Sequence, residues 1–157
     1  MEYTEKWGNI LKPYKNITKN YLEIGLFKGI TLPWWKEYFN CEVYGIDRDL
    51  STLEIDTTPF HVYQMEALDK DQADLRFNSI KFDVIVDDST PEFPNQIFNI
   101  YQKYLNCNGI YIIETYKNNS QALLSFGKLS NNFKNFKFNI GISHLSNRPI
   151  VYGYKIS

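Results

Sequence analysis

Two glycines and a set of acids have the spacing that a nucleotide-binding edge needs. Glu23, Gly25 and Gly29 fall in the stretch Tyr21-Leu22-Glu23-Ile24-Gly25-Leu26-Phe27-Lys28-Gly29-Ile30-Thr31. Glycine lets the backbone approach a bound group with no Cβ in the way, and the unpaired N–H groups of a following helix favour a negative group. Asp47 closes the run Val43-Tyr44-Gly45-Ile46-Asp47. It lies roughly twenty residues past the loop, where an acid can accept hydrogen bonds from both hydroxyls of a ribose. Its other reading is a turn or cap residue. The run Phe60-His61-Val62-Tyr63-Gln64 leads directly to Glu66 and Asp69. A carboxylate there can accept from an adenine amino group, with Glu66 the first candidate and Asp69 the second. The competing reading is that both simply open a helix, whose dipole favours acids.

Three further acids sit at strand ends. Asp87 and Asp88 close Lys81-Phe82-Asp83-Val84-Ile85-Val86-Asp87-Asp88, and Glu114 follows Ile110-Tyr111-Ile112-Ile113. Ligands of open α/β sheets bind at the carboxyl ends of strands. Acids clustered there repel unless neutralised, which argues for a shared cation or for raised pKa values. The alternative is that one aspartate caps the next helix and the other orders the loop. His144 ends the penultimate strand near the same rim and is a candidate base, because imidazole titrates near neutrality. His61 lies inside a strand and reads as structural. Cys41 and Cys107 form no metal or redox spacing.

These groups need elements to hold them. Tyr21 to Gly25 reads as a short buried strand, and Thr31 is expected to cap a helix through Trp34, Trp35 and Tyr38. Tyr3, Trp7, Ile10, Leu11 and Tyr14 recur at helical spacing, predicting an amphipathic helix over residues 4–12 that Pro13 ends. The connection from 47 to 59 has room for one or two helical turns. The apolar run before Asp87 suits a central parallel strand buried on both faces. A helix is expected from Pro94 to Leu105, then a turn at Asn108-Gly109 into a fifth strand ending at Thr115. Another helix spans Ser120 to Leu129 with Leu123, Phe126 and Leu129 inward. Phe136–Ser143 and Ile150–Ile156 read as two strands joined through Ser146-Asn147-Arg148-Pro149. Alternating strand and helix patterns give an α/β sandwich on a mainly parallel sheet.

With 157 residues the chain fits one domain, a helical segment over 1–20 and a core over 21–157. A net charge of −1 with mixed signs gives no footprint for duplex nucleic acid. No run of about eighteen apolar residues predicts a membrane span. The N-terminus is no secretory signal, so a cytoplasmic location with reduced thiols is expected.

The pattern Glu23-x-Gly25-x-x-x-Gly29 resembles the first motif of class I S-adenosylmethionine (SAM) methyltransferases. Asp47, the acid after strand three, the double acid after strand four and the closing hairpin extend the resemblance over nearly the whole chain. It implies a Rossmann-like seven-stranded sheet in the order 3-2-1-4-5-7-6, with the inserted strand antiparallel. It also implies SAM over residues 23–29, ribose on Asp47, adenine near Glu66, and Asp87 beside the cofactor. Phe82-Asp83-Val84-Ile85-Val86-Asp87-Asp88-Ser89, followed by Gln96, looks like the macrolide-sugar O-methyltransferase group. In that group such acids hold magnesium and a histidine acts as base. Here Pro91 and Glu92 stand where the group has histidines, and Thr115 where it has a last aspartate. The metal candidates that remain are Asp87, Asp88 and Glu114, and the catalytic ones Asp87, Asp88 and His144. The resemblance implies methyl transfer to a hydroxyl of a small molecule or sugar. The alternatives are a SAM-cleaving enzyme and a non-catalytic SAM-binding subunit. Little chain lies outside the core to form a lid, so a second copy or a partner subunit is expected to supply one.

Overall fold

The computed structural model describes residues 8–143 and 147–156. Seven strands, β1 (Asn20–Ile24), β2 (Glu42–Asp47), β3 (His61–Gln64), β4 (Phe82–Asp87), β5 (Leu105–Ile113), β6 (Phe136–Ile142) and β7 (Pro149–Lys155), form one sheet. Five helices accompany them: α1 (Gly8–Leu11), α2 (Thr31–Phe39), α3 (Lys70–Phe77), α4 (Pro94–Tyr101) and α5 (Asn119–Asn132). The strand order is β3-β2-β1-β4-β5-β7-β6. The first five strands run parallel, and β7 is antiparallel to both β5 and β6. This is the order that the resemblance implied.

Strand alternation divides the core in two. Leu22, Ile24, Ile85, Tyr111 and Ile113 face one layer, with Phe77 of α3, Phe98 of α4 and Leu129 of α5. Tyr21, Val43, Val84, Val86, Ile110 and Ile112 face the other, with Leu32, Trp35 and Phe39 of α2 and Leu11 of α1. β1 and β4 are therefore buried on both sides, as their apolar runs require. No α-helix forms between β2 and β3. A 3₁₀ turn at Leu50–Thr52 takes its place, and Leu53 and Ile55 pack on the α2 layer.

Several expectations need correction. The predicted N-terminal helix is described only over Gly8–Leu11, its residues 4–7 lying outside the described residues, and Pro13 sits inside a 3₁₀ turn, Lys12–Tyr14. Thr31 does not cap α2: Ile30 occupies the cap position with no side-chain bond, and Thr31 Oγ1 donates to Glu23 instead. α4 stops at Tyr101 and tightens into a 3₁₀ turn at Gln102–Tyr104, so Leu105 begins β5 rather than ending a helix. Asn108 and Gly109 lie within β5, where the pairing with β4 shifts register. In α5 the inward residues are Ala122, Ser125 and Leu129, while Leu123 is exposed. His61 is also exposed, its Nε2 lying 3.0 Å from Glu42 Oε2 and its ring stacked on Tyr44.

Candidate functional site

β1 and β4 lie side by side, and from them the chain order runs outward in opposite directions. Such a switch point leaves a crevice beyond the strands' carboxyl ends. Here it is a cleft of about 510 Å³. Its wall includes Gly25 and Phe27 after β1, Asp47 and Arg48 after β2, Met65 and Glu66 after β3, and Asp88 to Thr90 after β4.

The glycine turn is tightly determined. Gly25 has φ +88°, and a Cβ built there would stand 2.7 Å from the Asp88 carbonyl oxygen. The absent side chain lets the turn after β1 lie against the turn after β4. Gly29 also has positive φ, +73°, but its Cβ would meet Leu53 at 2.8 Å. Gly29 thus seats the 48–60 connection and is not among the residues that line the cleft.

Asp47 Oδ2 accepts from the N–H of Leu26 at 2.7 Å and of Phe27 at 3.1 Å, while Oδ1 accepts from Asp49 N–H at 3.0 Å. The carboxylate both reaches the cleft and holds the glycine turn in shape. Thr52 Oγ1 donates to the Phe27 carbonyl at 2.8 Å, and Lys28 pairs with Glu54. Phe27 itself has φ +50° and is largely exposed. Glu23 does not reach the cleft. It is buried, accepting from Thr31 Oγ1 at 2.7 Å and from the Tyr21 hydroxyl at 3.0 Å. Glu66 is exposed on the cleft wall, whereas Asp69 caps α3 by accepting from Gln72 N–H.

The strand-end acids separate. Asp88 is exposed and lines the cleft. Asp87 is fully buried, its Oδ1 accepting from Ser89 N–H at 3.1 Å and from Ser89 Oγ at 2.6 Å, its Oδ2 without a partner. Burial pushes its pKa up to about 7, with a smaller push from the Asp88 charge, against the pull of the Ser89 bonds. Glu114 is buried and accepts from Ser143 Oγ at 3.2 Å. Among the described residues no group of three or more His, Cys, Asp or Glu is placed to hold a metal ion. Asp87, Asp88 and Glu114, all of them described, form no such group. His144 lies outside the described residues. The structure brings together Gly25, Asp47, Glu66 and Asp88, and leaves Glu23, Gly29, Asp87 and Glu114 off the cleft. Sequence reasoning missed Arg48, Met65 and Thr90, which carry no motif and are gathered only by the strand order, while Glu92, noted only as a departure from the histidines of the resembled group, also lines the cleft. No described helix is long and apolar enough to cross a membrane.

No family model matches the chain, and no curated protein matches it. Solved structures do. One is the MycE methyltransferase from the mycinamycin biosynthetic pathway, in complex with Mg and SAH. It is 21% identical with a TM-score of 0.75, over 98% of this chain and 46% of that one. The same enzyme with Mg, SAH and mycinamycin VI gives 20% identity and a TM-score of 0.74, over 99% and 46%. An O-methyltransferase from Bacillus cereus in complex with SAH gives 14% and 0.75, over 99% of this chain and 81% of that one. The chain spans less than half the length of the MycE structures it matches. Strand order, cleft position and these likenesses agree that the chain has the Rossmann-like fold of class I SAM-dependent methyltransferases.

Proposed function

We propose that the protein binds SAM in the cleft beyond β1–β4 and transfers its methyl group to a hydroxyl of a small molecule. The observation that carries this reading is the convergence of the Gly25 turn, Asp47 and Glu66 on one crevice. Gly25 has no Cβ, so the turn after β1 packs directly on the turn after β4 and shapes the cleft floor without a side chain of its own. In this reading Asp47 accepts from the ribose hydroxyls, and Glu66 and Met65 hold the adenine, one by a polar and one by an apolar contact; what supports it is that all three line the same cleft. SAM supplies an electrophilic methyl carbon. The acceptor oxygen bonds to it as the carbon–sulfur bond breaks, and the electron pair stays on sulfur in SAH. The chain's own contribution is position, since an in-line approach matters as much as base strength in such a transfer. Asp88, on the wall formed after β4, is the carboxylate placed to take the acceptor proton. Calorimetry with SAH tests the binding half, and transfer of labelled methyl from SAM to candidate hydroxyl compounds tests the other. A chain that binds neither SAM nor SAH refutes the reading.

A further inference from the structure

β6 is the outer strand at one end of the sheet, and its pairing with β7 is continuous from Phe136 to Ile142. The register decides which of its backbone groups are free. Ser143 N–H donates to the Arg148 carbonyl at 2.8 Å, and Ile156 N–H to the Asn135 carbonyl at 2.9 Å, both in the register of that pairing. Hydrogen-bonded and non-hydrogen-bonded pairs alternate along an antiparallel ladder. The odd-numbered residues of β6 therefore bond to β7, and the even-numbered ones turn their N–H and C=O groups outward. Phe136 N–H donates to the Phe133 carbonyl at 3.3 Å. The N–H groups of Phe138, Ile140 and Ile142 have no partner among the described residues. Proteins commonly blunt such an edge by shortness, proline, charge or a bulge. The opposite edge, β3, has four residues and starts close behind Pro59. β6 has seven residues, no proline and one charge, Lys137.

The two faces of this edge differ. Side chains alternate along a strand, so Phe138, Ile140 and Ile142 share the α5 side. Phe138 joins the core there, while Ile140 and Ile142 stay exposed. Lys137 is exposed on the other side, paired with Tyr154 of the α2 layer. The surrounding charge has one sign. All 18 Asp and Glu precede residue 115, and the chain after it carries Lys117, Lys128, Lys134, Lys137, Arg148 and Lys155. That segment builds α5, β6 and β7. Lys134 and Lys137, on either side of Phe136, have no ion partner among the described residues.

We infer that β6 is a docking edge for an extended segment of another protein, acidic on one face and apolar on the other. The backbone of that segment continues the sheet, its apolar side chains meet Ile140 and Ile142, and its carboxylates meet Lys137. Charge selects against a second copy, because a twofold pairing of β6 strands brings two acid-free basic edges together. β6 runs parallel to β5, and Ser143 just past its end donates to Glu114 just past β5, so a docked strand has one end on the rim that carries the cleft. The inference does not depend on what the cleft binds.

The probe is a fluorescein-labelled peptide of alternating valine and glutamate, about nine residues long, titrated with the full chain and read by fluorescence anisotropy. A valine–lysine peptide and an oligouridylate of like length are the comparisons. The valine–glutamate peptide is expected to bind saturably with Kd below about 1 mM, at least about tenfold more tightly than either comparison. Raising NaCl from about 50 to about 300 mM should weaken it. Ile140→Pro removes an outward N–H and no bond to β7, so the protein should fold by circular dichroism and lose at least about tenfold in affinity. Lys137→Glu, at an exposed position, should reverse the preference between the two peptides. The inference is overturned if the valine–glutamate peptide does not bind saturably, if the valine–lysine peptide binds as well, or if the oligouridylate binds more tightly. Wild-type affinity in folded Ile140→Pro and Lys137→Glu also overturns it, as does a wild-type dimer in analytical ultracentrifugation that Ile140→Pro dissociates.

Discussion

Replacing Gly25 with alanine should damage both the fold and the cleft. The new Cβ would lie 2.7 Å from the Asp88 carbonyl oxygen, 2.8 Å from Ser89 Cα and 2.9 Å from the Asp88 carbonyl carbon. All three are backbone atoms, and Asp88 N–H is itself bonded to the Ile24 carbonyl at 2.9 Å. No flexible side chain can yield, so one turn must move away from the other. An L residue at φ +88° adds strain of about 1–2 kcal/mol. The backbone displacement adds about 1–3 kcal/mol. The sum, roughly 2–5 kcal/mol, corresponds to a melting temperature lower by about 5–15 °C for a chain of this size. Because the displaced atoms form the cleft wall, SAH affinity should fall at least about tenfold, which is about 1.4 kcal/mol. Thermal denaturation followed by circular dichroism and calorimetry with SAH are the assays. Gly127→Ala is the internal control: Gly127 lies within α5 with nothing within 4 Å of its Cβ, so alanine there should stabilise by up to about 1 kcal/mol. A Gly25→Ala protein that melts with wild type and binds SAH equally well would refute the reasoning.

Three other outcomes follow from the same structure. The bonds from Lys103 and Tyr104 hold the Asp74 pKa down at about 2. The unfolded chain then binds the proton more readily, so the stabilisation is present above about pH 4 and lost as pH falls toward 2; urea midpoints of wild type and Asp74→Asn should converge there. Asp87 has the opposite sign. Its folded pKa of about 7 exceeds the unfolded value, so the folded state holds the extra proton and stability falls as pH rises from about 4 to 7. Asp87→Asn should flatten that slope and raise the melting temperature at pH 7, and an unchanged pH profile would contradict the burial argument. Phe98, fully buried and edge-on to Tyr111, Phe133, Phe136 and Phe138, joins α4 to β5 and β6. Phe98→Ala should cost about 3–5 kcal/mol in chemical denaturation.

The fold was legible where a pattern had one solution. Lys81 to Asp88 read as a central strand and the alternation around it as an α/β sandwich, while the strand order came from the resemblance to class I methyltransferases. Boundaries were less so, because they depend on local geometry. Gln102–Tyr104 tightens to 3₁₀ and releases Leu105 into β5, and Asn108, at φ +65°, looks like a turn but sits inside a strand with shifted register. On α5, Leu129 is buried and Phe126 packs on the core as expected, but Leu123 is exposed and small residues take its place on the inward face. Ala122 and Ser125 allow close approach, and Ser125 accepts the Tyr116 hydroxyl at 2.5 Å, a contact no hydrophobic pattern signals. The cleft was half legible. Asp47 and Gly25 follow from spacing, but the separation of Asp87 from Glu114 follows only from knowing that Asp87 pairs with Ile113. Asp83 was passed over as a strand residue. It accepts from the N–H groups of Lys19 and Asn20 and from Asn106 Nδ2, pinning the entrance to β1.

If the crevice beyond β1–β4 is a SAM site, Asp47 is the residue whose loss should show it most directly. Isothermal calorimetry with SAM and SAH, on wild type and on Asp47→Ala, measures it directly. Wild type should bind each ligand at one site per chain. Asp47→Ala should lose at least about thirtyfold, about 2 kcal/mol, since the substitution removes the ribose acceptor and releases the N–H groups of Leu26 and Phe27 together. No binding by wild type, or equal binding by a folded Asp47→Ala, would contradict the account.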